Sequence, residues 1–503
     1  MNNLIPHIPA QLDDILKSMP WFVPELGLSI LFLLVFLSDL VAGKKIAWLT
    51  RTVAIIGMLV VLFTALQQLA LVAVGGESHF IFSGMLLLHH TSVCFKLVMD
   101  VLAILVLIYI PWDKALRAHF KGLGDLYSIT IASVLGLHLM VMAVNLLSIY
   151  LAVEMVSIAS YLMVAYRSDT GVTTEAGMKY VLFGAVSSAI MLYGISLLYG
   201  FSGTLDIFDP GFIHNLTQVS PVSVSLALVL VMVGIGFKLS FVPMHFWVPD
   251  VYQGAATPVT TYLSTVPKIA GFGLLINFLT PFVFNPLWTA FDFRLLLSVV
   301  GIVTLIVGNV AAIWQTNIKR LLAYSSIGHT GFALMALAAF SEQGISALLF
   351  YLAVYAIANA GALMLCSYYV NKIGAHTLDS YKGVGLRYPL PSVCFVIILI
   401  SLAGLPVTAG FNGKVLVFSA VYDVYQHSRD GWLLALMITG AATTVIALFY
   451  YIKIPLYLFL KKNEHHADDL IVNHRYLLVC ICVISFLLLA VGVFPQLLNF
   501  LQV

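Results

Sequence analysis

The sequence predicts an all-α polytopic membrane protein of 14 transmembrane helices, with two inverted five-helix repeats that each carry a broken helix. Three observations predict this. The 503 residues are 61% hydrophobic and only 9% charged, with a mean hydropathy of +1.03, whereas soluble chains carry about 25% charged residues. Apolar runs of about 20 residues, the length that spans a hydrocarbon core, recur along the whole chain. Lysine and arginine collect on alternate connections between those runs, as cytoplasmic loops do.

The runs cover 21–42, 46–74, 92–111, 126–144, 145–166, 175–200 and 221–249, then 257–280, 293–315, 318–340, 343–371, 391–426, 432–460 and 475–499. Odd-to-even connections and their flanks hold fifteen of the 24 Lys and Arg residues, among them Lys44, Lys45, Lys121, Lys319, Arg320, Lys461 and Lys462. The opposite side holds only Lys17, Arg294 and Arg429. This bias predicts both termini on the outer (periplasmic) side of a cell inner membrane. The first 20 residues are polar and proline-punctuated, so the first apolar run reads as a retained span.

The seventh and twelfth runs are interrupted. Gly234, Gly236 and Pro243 surround Lys238 in the seventh; Gly404, Pro406, Gly410 and Gly413 precede Lys414 in the twelfth. The interruptions lie five spans apart, and a unit of five spans repeated once must invert, which is a transporter signature. The expected organisation is flanking spans 1–3 over 1–125, a first repeat over 126–280, a second over 281–462, and the last span within 463–503.

A net charge of +2 gives no polybasic tract for nucleic acid. The five cysteines, Cys94, Cys366, Cys394, Cys480 and Cys482, show no Cys-x-x-Cys spacing, so neither a structural zinc nor an iron–sulfur cluster is expected on the chain. His89–His90 and His465–His466 lack metal-ligand spacing and read as solvated loop residues.

Chemistry is expected at charged residues inside the spans, because a lone ammonium at a helix centre costs roughly 2.5–3.5 kcal/mol. Glu154, Lys179, Lys238, Lys268 and Lys414 are so placed. Lys238 and Lys414 sit at helix breaks, and Lys268 directly follows Pro267. Breaks free backbone carbonyls and admit water, and both stabilise and relay a proton. A Glu154–Lys238 pair would be a protonation switch, or else a static ion pair. Lys179 lies one turn from Glu175 near a span end, where snorkelling competes with function. His329 stands beside Ser325, Ser326 and Thr330, as a proton relay or a packing residue. Lys96 and Asp100, i and i+4 in the third run, are expected to pair with each other; Lys453 reads as an interface anchor or an echo of Lys268. His245 and Asp250 are expected at the mouth of the first broken helix, in an entry path or fixing a loop.

At FKLSFVPMHFWVPDVYQGAATPVTTYLSTVPKIAGFG, from Phe237 to Gly273, the chain resembles the antiporter-like membrane subunits of respiratory complex I, and among them the N (mitochondrial ND subunit 2) type. The Glu154 span, KRLLAYSSIGHTGF from Lys319 and GLPVTAGFNGK from Gly404 support the resemblance, which covers all the runs. It implies proton translocation in a NADH:quinone oxidoreductase, with Glu154, Lys179, Lys238, Lys268 and Lys414 matching the family's proton-transfer residues. It further implies FMN, iron–sulfur clusters and quinone in partner subunits and none on this chain, with M-type and small K-type membrane subunits as neighbours. An Mrp-like cation/proton antiporter subunit is the alternative. Ala256 and Asn412 depart from the family pattern, and Asn412 is expected to alter hydration beside Lys414.

Overall fold

The computed structural model describes residues 8–42, 47–75, 78–117, 122–167, 170–461 and 475–501. Lys44, Lys45, Lys121, Lys462 and His465–His466 lie outside them. The helices in chain order are α1 (Ile8–Ser18), α2 (Val23–Ala42), α3 (Ala47–Gly75), α4 (His90–Tyr109), α5 (Lys114–Arg117), α6 (Gly124–Met142), α7 (Leu146–Ala165), α8 (Gly171–Ser202), α9 (Pro210–Thr217) and α10 (Pro221–Leu239). There follow α11 (Trp247–Gly254), α12 (Thr257–Val283), α13 (Phe293–Ile313), α14 (Ile318–Ala338), α15 (Glu342–Ile373), α16 (Val384–Arg387), α17 (Pro389–Ala403), α18 (Ala409–Ser428), α19 (Gly431–Pro455) and α20 (Arg475–Val493). A short antiparallel hairpin, β1 (His79–Ile81) with β2 (Leu86–Leu88), precedes α4.

Among the described residues thirteen helices are long and apolar enough to cross a membrane. The twelfth predicted run is the exception. It is two pieces, α17 and α18, parted at Gly404–Thr408. Side-chain caps set several starts, as expected where orphan N–H groups need acceptors. Asn145 accepts from Leu147 N and separates α6 from α7; Asn317 accepts from Arg320 N at the start of α14; Ser341 accepts from Gly344 N at the start of α15.

The loops sort into two ends. Asn317 bridges to Thr377, and Asp113, Arg167, Gln253, Lys319 and His376 line one cavity, so the connections that follow the third, fifth, seventh, ninth and eleventh runs meet at one face. Trp288, Asp292, Arg294, Phe340 and Asp430, from even-to-odd connections, line a cavity of their own. Among the described residues the connections therefore alternate between two ends of the fold.

Helices α12, α14 and α15 form the interior, while α2, α3 and α20 turn large apolar side chains such as Leu33, Val41, Ile56, Phe63, Val479 and Phe486 outward. That apolar exterior suits lipid contact, where every backbone polar group must be satisfied inside a helix. Glycine permits the closest helix approach. A Cβ on Gly308 of α13 would stand 2.4 Å from the Gly328 nitrogen of α14.

Two sequence expectations are corrected here. Lys96 and Asp100 do not pair with each other: Lys96 reaches Glu25 of α2 at 2.7 Å, and Asp100 bonds His138 of α6 at 3.0 Å. Helix packing decides the partners: α4 sets Lys96 against α2 and Asp100 against α6, so neither side chain turns along its own helix to the other. His89 and His90 are half-buried at the start of α4 rather than solvated, with His89 as its N-cap residue.

Candidate functional site

Helix α10 ends where Ser240 adopts a left-handed conformation, φ 59°. An aromatic stack fixes the break. Tyr180 of α8 lies over Trp247 at 4.6 Å and over Phe237 at 5.8 Å, and Trp247 Nε1 donates to the Phe237 carbonyl at 3.1 Å. Val242 N donates to Thr304 Oγ1 of α13 at 3.0 Å. Lys238 occupies the last turn of α10, 5% exposed, and its Nζ has no hydrogen-bond partner among the described residues. Glu154 Oε1 of α7 is likewise enclosed without a partner. Glu154 acts on the Lys238 ammonium through its field, but the two are not in salt-bridge contact. The direct ion pair considered from the sequence is absent, and both the buried ammonium and the enclosed carboxylate oxygen are without a hydrogen-bond partner among the described residues.

Lys268, in the middle of α12 and 2% exposed, is fully satisfied by contrast. Its three protons meet three acceptors on α14: Ser326 Oγ at 2.6 Å, Ser326 O at 3.1 Å and Thr330 Oγ1 at 3.2 Å. Thr330 Oγ1 in turn donates to the Leu239 carbonyl at 3.1 Å, one residue from Lys238. Ser326 Oγ also accepts from Tyr355 OH of α15 at 2.7 Å.

The Tyr355 ring lies 4.7 Å from the His329 ring. His329 Nδ1 bonds Tyr351 OH at 2.7 Å, and Nε2 bonds Tyr451 OH of α19 at 3.1 Å; Tyr451 OH also contacts Ser325 Oγ. A cavity of about 10 Å³ separates His329, Tyr351 and Tyr355 from Ser401 and Lys414, room for about one water.

Lys414, near the start of α18 and 5% exposed, uses the second break directly. Gly404 ends α17 at φ +80°, and a Cβ there would stand 2.7 Å from Lys414 Cδ, so the close approach requires glycine. The Ala403 carbonyl freed by that turn accepts from Lys414 Nζ at 2.8 Å. Thr444 Oγ1 lies 3.4 Å away, and the ammonium sits 4.7 Å from the centre of the Phe332 ring, a cation–π contact of ≈2 kcal/mol when desolvated.

Glu154, Lys238, Lys268, His329 and Lys414 thus come from five different elements. Ser326 and Tyr355 lead from Lys268 to His329 and on to the cavity beside Lys414. Thr330 links Lys268 to the carbonyl next to Lys238, and Glu154 joins this interior line only through its field on Lys238. Lys179 stands apart from it. Half-exposed near the start of α8, it bonds Glu175 Oε1 and Asp250 Oδ2, both at 2.7 Å, while Asp250 Oδ1 takes Arg320 at 2.5 Å. Burial raises the Asp250 pKa, but hydrogen bonds from Lys179 and Arg320 outweigh it and hold the carboxyl below its usual range. Asp250 therefore clasps α8, α11 and α14 at the cation-rich face. Beside the clasp a cavity of about 380 Å³ is lined by Asp113, Arg167, Gln253, Lys319 and His376, and Lys319 Nζ donates to the Ala255 carbonyl at 2.6 Å.

Asn412 does not reach Lys414. Its Nδ2 donates to the Val491 and Gly492 carbonyls at 3.3 and 2.8 Å, tying α18 to α20. Tyr351, Tyr355 and Tyr451, central to the line, were not found from the sequence. Tyrosines inside apolar runs were the available signal, because a buried hydroxyl needs a partner. Among the described residues no three His, Cys, Asp or Glu side chains are grouped to hold a metal ion.

An all-α polytopic fold with two broken helices and interior lysines at both breaks defines an antiporter-like membrane protein. The chain belongs to the family described as NADH:quinone oxidoreductase/Mrp antiporter, TM, whose model matches residues 143–447. It is 39% identical over 453 residues to NADH-quinone oxidoreductase subunit N 2 of Chloroherpeton thalassium, covering 89% of this chain and 86% of that relative. Its fold matches a chain of respiratory complex I from Thermus thermophilus with bound aureothin, with TM-score 0.76, 28% identity, and coverage of 95% of this chain and 98% of that one. A chain of the Mrp complex from Dietzia sp. DQ12-45-1b shares the fold alone, at TM-score 0.79 and 20% identity, covering 96% of each.

Proposed function

We propose that this chain is a proton-translocating membrane-arm subunit of a respiratory NADH:quinone oxidoreductase, with no redox chemistry of its own. The observation that carries this reading is the interior line of Lys238, Lys268, His329 and Lys414, joined by Thr330, Ser326 and Tyr355. Intramembrane ionisable residues are functional sites by default, and hydroxyls between them are proton carriers. Glu154, Lys238, Lys268, His329 and Lys414 transfer the proton in this reading, and Lys179 sets the entry face through Asp250. Lys238 is the member most responsive to a charge change nearby, since among the described residues its ammonium has no hydrogen-bond partner and feels only the field of Glu154.

Redox energy arrives from partner subunits that carry flavin, iron–sulfur clusters and quinone. M-type and small K-type membrane subunits are the neighbours, the membrane is the cell inner membrane, and both termini face outward. Two inverted repeats, 126–280 and 281–462, organise the line. Their support is that α8 and α15 are each 32 residues long, end on left-handed glycines Gly203 and Gly374, and precede the two breaks by one connection.

Purification of the tagged chain in mild detergent tests the assignment. Flavin and iron–sulfur centres that copurify in fixed proportion are the expected result. Sodium transport by the purified chain in liposomes, without any redox partner, would replace it with the Mrp-like antiporter reading, which the shared family description and fold keep as the second choice.

A further inference from the structure

A second group of buried charges lies outside this line. Glu25 of α2, Lys96 and Asp100 of α4 and His138 of α6 are all 0% exposed. Glu25 Oε1 takes Lys96 Nζ at 2.7 Å and His138 Nδ1 at 3.1 Å. His138 Nε2 meets Asp100 Oδ1 at 3.0 Å. Lys96 also donates to Gln68 Oε1 of α3 at 3.1 Å, and Gln68 donates onward to the Trp21 carbonyl. The second carboxylate oxygens, Glu25 Oε2 and Asp100 Oδ2, are enclosed with no partner among the described residues.

Proton counting follows from this geometry. Each imidazole nitrogen faces a carboxylate oxygen, and a neutral ring carries a single N–H. One contact would then set a nitrogen lone pair against an oxygen lone pair. The arrangement is satisfied only with one more proton: on the ring, giving imidazolium between two carboxylates, or on one carboxyl. With it the tetrad is neutral overall; without it a net negative charge is left in a low-dielectric interior. The proton therefore has three seats, Glu25, His138 and Asp100, joined by two hydrogen bonds.

A purely mechanical clamp does not need this chemistry. Apolar side chains of similar volume pack such a site at equal or better stability, and two orphaned oxygens are a poor way to finish a rigid polar network. The cluster is also placed to sense the lysine line. Phe95 of α4 and Val141 of α6 flank Gly273 of α12, and Asn277 of α12 donates to the Val141 carbonyl at 2.8 Å. Lys268 stands on that same helix, little more than one turn from Gly273.

We propose that Glu25, His138 and Asp100, braced by Lys96, form a second proton site whose one shared proton shifts between these seats in step with the charge on the lysine line. In the elementary step the Nδ1–H bond of the His138 imidazolium breaks and an O–H bond forms on Glu25, leaving both groups neutral; no electrons change hands. The inference rests on the proton-translocating reading above.

Membrane vesicles containing the assembled complex test it with His138→Gln, which hydrogen-bonds but does not titrate. Protons moved per electron pair, electron-transfer rate, assembled complex and passive proton leak are measured together. The expected result is normal assembly and leak with a loss of pumped protons per electron pair. Unchanged pumping in an assembled His138→Gln complex overturns the proposal. If that variant does not assemble, the double variant Glu25→Gln with Lys96→Met decides: lost pumping supports the proton site, normal pumping overturns it, and failure of this variant as well makes the cluster a clamp and the proposal false. Lys238→Ala in the same vesicles separates the two readings. Normal pumping by Lys238→Ala removes the underlying function and this site with it, whereas lost pumping there beside normal pumping in His138→Gln removes this site alone.

Discussion

Lys268 donates to the Ser326 hydroxyl at 2.6 Å, and that oxygen also accepts from Tyr355 OH at 2.7 Å. The α14 hydroxyl is therefore the junction through which the central lysine of α12 meets the tyrosine and histidine leading toward the second break. Thr330, one turn further along α14, joins the same lysine to the carbonyl beside Lys238.

Ser326→Ala removes that junction while leaving Lys268 its two other acceptors. A hydrogen bond to a charged group contributes about 1.5–3 kcal/mol, and each 1.4 kcal/mol corresponds to about tenfold in rate or equilibrium. Coupled turnover is expected to fall by about tenfold or more with normal amounts of assembled complex. Wild-type turnover would show that protons do not pass this point.

Gly404→Ala is expected to act on Lys414 through shape. The added Cβ meets Lys414 Cδ at 2.7 Å on a backbone at φ +80°, and a non-glycine residue held in a sparsely populated conformation costs on the order of 1–3 kcal/mol. Lower thermal stability in detergent together with reduced coupling is the expected outcome. A variant that matches wild type in both would show that the second break tolerates rearrangement.

Asp250→Asn loosens the clasp between α8, α11 and α14. Partners hold the Asp250 pKa below its ordinary value of 3.8, so the folded form binds this proton less readily than the unfolded form. Its stabilising contribution is complete above that ordinary value and is lost as pH falls through the lower folded value. At neutral pH the variant is expected to melt earlier than wild type, and on acidification below pH 3.8 the difference between the two should shrink. Melting curves across pH check this; a difference that grows on acidification would contradict the clasp.

Asn412→Leu separates anchoring from chemistry. Its amide holds the end of α20 rather than Lys414, so the expected effect is a stability loss of about 1 kcal/mol with proton coupling intact. Impaired coupling at wild-type stability would return Asn412 to the proton path.

The lysines were legible because each stands alone in an apolar run, and the two breaks because glycine and proline cluster beside two of them. Glu154, Lys238, Lys268, His329 and Lys414 were all nameable in that way. Helix rotation was not. Period and composition do not say which face of α4 meets α2, so Lys96 was matched with Asp100 one turn away instead of with Glu25, more than 70 positions earlier in the chain. The same limit hid Tyr351, Tyr355 and Tyr451, whose hydroxyls matter only once α14, α15 and α19 are set around His329. The bonds that tie Asn412 to α20 were hidden for the same reason. Lys179 was located correctly beside Glu175, but its second partner, Asp250, comes from across a helix break.

The most direct test of the central claim is the number of protons moved per electron pair by Lys238→Ala complex in sealed membrane vesicles. Lys238 is the buried ammonium of the line without a hydrogen-bond partner among the described residues, so its loss removes a charge and breaks none of their hydrogen bonds. An assembled complex whose pumping is sharply reduced is the result expected here. Pumping at the wild-type ratio would contradict it.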